Sequence, residues 1–150
     1  MSMSFEKKGR LEDIVIWPGD QEVDKFVYTP GIHGIEFAKG LKDGKILGMK
    51  CKDGKVYVPP LTFCPDFSKG EVAEIEGDWI VITYTIIYED MYGNPLEKPE
   101  VIGFLKPVNG EGGLIHYLNV PIEKVKIGLI VRPVFKEERV GNINDIKYFE

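Results

Sequence analysis

The run "GDWIVITYTIIYED", residues 77–90, leaves this chain little choice of fold class. It is β-branched or aromatic along nearly its whole length. Such side chains lose rotamer freedom in a helix but pack well on a pleated sheet. In an extended strand Ile80, Ile82, Tyr84, Ile86 and Tyr88 share one face, and Trp79, Val81, Thr83, Thr85 and Ile87 share the other. "EVIGFLKPV", "GGLIHYLNV" and "KIGLIVRPVF" follow, and "INDIKYF" is a last strand candidate. "MYGNP", "NGEGG" and "PIEKVKIG" supply the turns between them. Five or six strands at regular intervals, with no long helix between them, predict a small closed barrel or sandwich; a five-stranded Greek-key barrel is the first expectation. Gly103 and Gly128 are expected to mark bulges or tight corners.

Upstream the texture changes twice. Residues 46–67 read as a compact β-ribbon: "KILGMKC" and "KVYVPP" are short strands joined by the turn "KDG", and Pro59-Pro60 prevents a further central strand. Residues 1–45 read as a helical segment. "SFEKKGRLEDIVI" opens with Ser4 as a helix cap, and Pro18-Gly19-Asp20 breaks the chain. The strongest helix lies in "YTPGIHGIEFAKGLKDGK", where Ile32, Ile35, Ala38 and Leu41 make one apolar face. Thr29-Pro30 suits its start and Gly44 its stop. The expected organisation is therefore a helical segment over 1–45, a ribbon over 46–69 and a barrel over 70–150.

The chain has 150 residues, 43% of them apolar, which suffices for a real core. No apolar run is long enough to span a bilayer, and "MSMSFEKKGR" carries no signal-peptide pattern, so a cytoplasmic location is the default expectation. The net charge is −5, with lysines scattered among acids, which argues against a nucleic-acid face. No nucleophile elbow, phosphate loop, zinc-protease helix or dinucleotide fingerprint is present, and the expectation is that the chain is not an enzyme. Glu89-Asp90 and Glu137-Glu138 are adjacent pairs that point to opposite faces of a strand and make no catalytic dyad. His116 alternates with Leu114 and Leu118 and reads as a core histidine with one hydrogen bond; His33, in a glycine-rich helix start, reads as a surface residue. Trp79, Tyr84, Tyr88, Tyr92 and Tyr117 read as sheet packing rather than as a stacking platform for bases.

The ordered combination of helix, cysteine ribbon and barrel in "GLKDGKILGMKCKDGKVYVPPLTFCPDF" resembles a particular family. Gly48, Lys50, Cys51, Gly54, Pro59, Pro60 and Cys64 fall on the pattern of archaeal and bacterial proteins that join a rubredoxin-like zinc ribbon to a C-terminal OB-fold. "YTIIYEDMYGNPLEKPEVIGFLKPVNGEGGLIHYL" and "VKIGLIVRPVFK" resemble the barrel half. The resemblance implies an accessory role in acyl-CoA chemistry, as partner of a thiolase or a 3-hydroxy-3-methylglutaryl-CoA synthase-like enzyme, with acyl-CoA as a ligand. A single-strand nucleic-acid-binding OB protein is the alternative. Acyl-CoA phosphates would need cations near the barrel, and Lys106, Lys124, Lys126 and Arg132 are the candidates by position.

The ribbon departs from the family where the family binds metal. Cys51-Lys52-Asp53-Gly54 and Cys64-Pro65-Asp66-Phe67 each keep one thiol of a pair, and a structural zinc site needs four ligands. Asp53 and Asp66 read as turn formers. The expectation is a metal-free ribbon without cofactor, in which Phe67 can fill the space a metal would hold; bound zinc is the alternative. A Cys51–Cys64 disulfide requires the two knuckles to face each other and is disfavoured in a reducing cytoplasm. Neither cysteine has a base at hand to make it a nucleophile.

Overall fold

The computed structural model describes residues 29–90 and 92–150. The expectations at Ser4 and at Pro18-Gly19-Asp20 lie outside the described residues.

Helix α1, Gly31–Lys42, is where the apolar spacing places it. Pro30 precedes it with a helical φ of −75° and no side-chain cap, and Lys39 and Lys42 sit in the last turn, where cations complement the exposed carbonyls. The helix ends in a Schellman arrangement: the Gly44 N–H donates to the Leu41 carbonyl at 3.0 Å and the Lys45 N–H to the Gly40 carbonyl at 2.8 Å. Gly44 holds φ +76°, which a side chain at that position would oppose.

The ribbon follows as strands β1 (Leu47–Lys50) and β2 (Val56–Val58), paired antiparallel with Met49 opposite Tyr57. Strand β3, Glu71–Glu74, adds to the other edge of β1. A two-residue strand β6, Glu111–Gly112, pairs parallel with β2 and ties this four-stranded sheet to the rest of the molecule.

The second sheet contains the long strands β4 (Trp79–Glu89) and β5 (Pro95–Pro107), then β7 (Leu114–Leu118), β8 (Ile130–Val131), β9 (Pro133–Phe135) and β10 (Ile146–Phe149). Its order is β8-β4-β5-β7-β10-β9, with β7 and β10 parallel. Strands β8 and β9 are one extended segment interrupted only at Arg132. Its start pairs with β4 through Trp79 opposite Val131. Its end pairs with β10, and Arg132 and Glu150 exchange backbone hydrogen bonds at 2.7 and 3.0 Å. The sheet therefore closes on itself as a barrel of five continuous strands, in the order of an OB-fold.

The bulge falls elsewhere than expected. Pairing of β4 with β5 slips between Val81 and Thr83, so Ile82 is the extra residue. It reverses the phase of the alternation: Trp79 and Val81 are buried before it, and Tyr84 and Ile86 pack on the core after it. Strict alternation along 79–88, as read from the sequence, breaks here. Gly103 pairs regularly with Tyr84 and is needed for another reason. A Cβ there would lie 2.8 Å from the Leu118 side chain. Gly128 does mark a corner, with φ +85° and its N–H on the Val81 carbonyl.

One core joins the parts. Trp79, Val81, Leu105, Leu118, Ile146 and Phe149 fill the barrel, and Leu41 of the helix with Ile46 and Val58 of the ribbon belong to the same cluster. Trp79 and Phe149 meet edge to face at 5.3 Å. A separate small cluster, Met49, Cys51 and Cys64 with Tyr57 against it, lies inside the ribbon.

Candidate functional site

Where helix, ribbon and barrel meet they leave a groove of about 900 Å³. Ile32, His33 and Phe37 of α1 form one wall, Pro59, Pro60 and Phe63 of the ribbon a second, and Gly141–Ile143 the third. Ile32 is 79% exposed and Phe63 54% exposed, so the rim is apolar and open. His33 belongs to this groove rather than to open surface. It is half-buried, and its Nδ1 is buried without a hydrogen bond to any described residue.

The third wall is held by Asp145, which sequence reasoning did not single out. Its buried carboxylate accepts from the backbone N–H groups of Val140 (3.1 Å), Gly141 (2.6 Å) and Asn142 (3.1 Å). Burial pushes its pKa up, but the three N–H groups outweigh burial and hold it below the usual carboxylate value. Asn142 returns the favour by accepting from the Asn144 N–H, which makes a capping box around a short 3-10 helix, Ile143–Asp145. The pattern Asn142-x-x-Asp145 is its signal in the sequence, and the strand expected over "INDIKYF" begins only at Ile146.

His116 is the core histidine the alternation predicts. Its Nδ1 accepts from the Tyr117 N–H at 2.9 Å, so its Nε2 carries the proton and donates to the Ile143 carbonyl at 3.2 Å. Burial lowers its pKa, and the neutral ring links β7 to the groove's third wall.

The two cysteine knuckles are the same turn built twice. The Gly54 N–H donates to the Cys51 carbonyl and the Phe67 N–H to the Cys64 carbonyl, at 3.0 and 2.8 Å. The Cys51 N–H donates to Lys55 and the Cys64 N–H to Ser68, at 2.9 and 3.0 Å. Asp53 and Asp66 each accept from the N–H two residues on, as turn formers do. Both turns need a left-handed residue at their fourth position. Gly54 supplies it at φ +82° and Phe67 at φ +60°.

Between the knuckles Cys51 and Cys64 are joined in a disulfide, with Cα atoms 5.7 Å apart. Two expectations are corrected by this geometry. The disulfide, disfavoured on compartment grounds, is present because the facing knuckles bring the two sulfurs together. Phe67 does not fill the metal's place: its left-handed backbone turns the ring outward, and it is 87% exposed.

The four candidate cations do not converge. Lys106 is held by Glu111 at 2.6 Å, and Lys55 of the ribbon reaches the same carboxylate at 2.9 Å. Arg132 is held by Asp78 at 2.5 Å. Lys124 and Lys126 are exposed and make no ion pair with another described residue. None of the four lines the groove beside α1. A second groove of about 860 Å³ runs along β5, β7 and β10, and its cations are Lys98 and Lys147.

A family model for the ChsH2 rubredoxin-like zinc ribbon domain matches residues 38–66. The crystal structure of a Sulfolobus solfataricus protein of unknown function from the DUF35 family is 40% identical, with a TM-score of 0.61, over 69% of this chain and 78% of that one. The chain belongs to the DUF35 family. A chain of the structure described as the Ltp2-ChsH2(DUF35) aldolase shares the fold at 18% identity and a TM-score of 0.55, over 77% of this chain and 87% of that one. That finding corrects the expectation that this DUF35 chain is not an enzyme, since a chain of the same architecture stands in an aldolase.

The matched family implies zinc, and the donor set of this DUF35 ribbon does not fit it. Its two sulfurs are bonded to each other, and Gly54 and Phe67 close the two turns without a donor side chain. Among the described residues no group of three or more histidine, cysteine or acidic side chains is placed to hold a metal. No helix among them is long and apolar enough to cross a membrane.

Proposed function

We propose that this DUF35 protein is a subunit of an enzyme assembly in acyl-CoA metabolism. The observation that carries the reading is the ribbon-and-barrel fold it shares with a chain of the Ltp2-ChsH2(DUF35) aldolase. The open apolar groove between α1, the ribbon and the Gly141–Ile143 loop supports it, because contiguous exposed apolar surface marks an interaction site. The partner is a thiolase-type or 3-hydroxy-3-methylglutaryl-CoA synthase-like enzyme, and the groove is the surface it covers. Lys124 and Lys126, exposed on the loop between β7 and β8, are the cations available to acyl-CoA phosphates. Lys106 and Arg132 would first have to leave Glu111 and Asp78.

Co-expression with each condensing enzyme of the source organism, followed by size-exclusion chromatography, tests the reading. A defined complex is expected, together with a rise in melting temperature when acetyl-CoA is added. A chain that elutes alone beside every such enzyme, and whose melting temperature acetyl-CoA leaves unmoved, sinks it.

A further inference from the structure

The mismatch between a zinc-ribbon fold and a disulfide at its metal position has a consequence for the groove. We infer that the Cys51–Cys64 disulfide does the metal's structural work and makes the ribbon wall of the groove responsive to thiol reductants. The inference stands independently of the acyl-CoA reading.

The segment between β2 and β3 is attached in few places. Residues 59–70 form no strand. The backbone hydrogen bonds of the second knuckle, from Cys64 to Ser68 and from Phe67 to Cys64, are internal to it, as are the bonds that Asp66 accepts from Ser68. Its two ends are fixed by β2 and by β3, which pair with β1. Between those ends, what joins this knuckle to the first one is the disulfide, with Met49 packed beside the two sulfurs. Pro59, Pro60, Phe63, Lys69 and Gly70 line the groove and flank the second knuckle. Reduction therefore loosens the part of the groove's ribbon wall that lies between β2 and β3, around Phe63, and leaves the barrel intact. A small-molecule or protein dithiol supplies the two electrons and two protons that convert the disulfide to two thiols, and leaves as its own disulfide. An external disulfide restores the bond by the reverse exchange. Cys51 and Cys64 are 6% and 2% exposed, so exchange waits on opening of the ribbon.

The oxidised 150-residue chain, compared with the same chain reduced by a phosphine, tests this. Under denaturing conditions the untreated chain should take up no alkylating agent. Reduction should speed amide exchange across residues 59–69 by at least about tenfold while β4 and β5 keep their protection. It should also lower the melting temperature of the ribbon, followed at residues 59–69, by about 5–10 °C while that of the barrel stays put, as expected for a local bond of sequence separation 13. The double variant C51A/C64A should match the reduced chain and ignore the reductant. Alkylation of both cysteines in untreated protein overturns the inference. So does exchange at 59–69 that reduction leaves unchanged, and so does a reduced chain that takes up one zinc and recovers its melting temperature.

Discussion

The barrel and the ribbon solve the same problem with different means. The barrel closes a ring of hydrogen-bonded strands around Trp79, Val81, Leu105 and Phe149, all essentially inaccessible to solvent. The ribbon has three short strands and a private core of Met49 and two cysteines, with Tyr57 against it. Small modules that cannot bury enough apolar surface depend on a cross-link, by metal or by disulfide. The barrel's order is spread over a closed ring of strands, whereas the ribbon, anchored by strand pairing and by Ile46 and Val58 in the shared core, joins its two knuckles through one covalent bond.

The comparison breaks most severely at the barrel's centre. Trp79→Ala removes a side chain 1% exposed that meets Phe149 edge to face, and it should cost about 3–5 kcal/mol in urea unfolding. Loss of the Cys51–Cys64 bond should cost about 3 kcal/mol on the chain-entropy estimate, and the loss should be confined to the ribbon. If C51A/C64A melts the barrel strands as readily as Trp79→Ala does, the two regions are one cooperative unit and the contrast fails.

The elements written in long, regular patterns were the legible ones. The strand run at 77–90, the helical spacing of Ile32, Ile35, Ala38 and Leu41, and the alternation around His116 each repeat a local preference often enough to place their element, although Ile32 and Ile35 themselves stay exposed. The bulge at Ile82 was not legible, because nothing in a β-branched run announces where pairing with Phe104 will slip. The groove was invisible for a different reason. It is made by three segments distant in sequence, and its key polar residue, Asp145, looks like any turn acid until three backbone N–H groups are found around it. The disulfide needed the geometry of both knuckles, which the spacing of Cys51 and Cys64 alone does not supply.

Asp145 tests whether the groove's third wall belongs with the ordered barrel. Asp145→Ala strips the acceptor from Val140, Gly141 and Asn142 and should cost about 2 kcal/mol, with faster amide exchange at 140–143. Unchanged exchange there would mean that packing against α1 alone holds the loop.

Acid should then separate the regions in sequence. His116 has a folded pKa lowered by burial from 6.5. Below pH 6.5 the unfolded chain takes up a proton that the folded chain refuses, so barrel stability falls as pH drops from there. Glu111 is held down to about 2 by Lys106 and Lys55, against 4.5 when free. Its contribution is fully present above about pH 4.5 and is lost as pH falls toward 2, at the contact between ribbon and barrel. Melting temperatures followed against pH should show both declines. His116→Gln should flatten the one that begins at 6.5 and Glu111→Gln the one that begins at 4.5. A variant that leaves its own segment of the curve unaltered removes that residue from the account.

The smallest effect sharpens the comparison most. Gly54 and Phe67 hold the same left-handed position in the two knuckles, and only one of them is suited to it. A bulky side chain there costs about 1 kcal/mol, and Phe67 recovers none of it by burial, since its ring is 87% exposed. Glycine would relieve the backbone but return part of the gain as unfolded-state entropy. Phe67→Gly should therefore change stability by less than about 1 kcal/mol in either direction. Its exposure makes Phe67 a test of the proposed complex. On the proposed reading, the expected outcome is a variant that folds as well as the parent but binds a condensing enzyme less tightly, measured on the complex that co-expression is expected to yield. Equal binding would leave Phe67 as an uncompensated cost, and the ribbon's contact surface would then have to be sought in the groove wall alone.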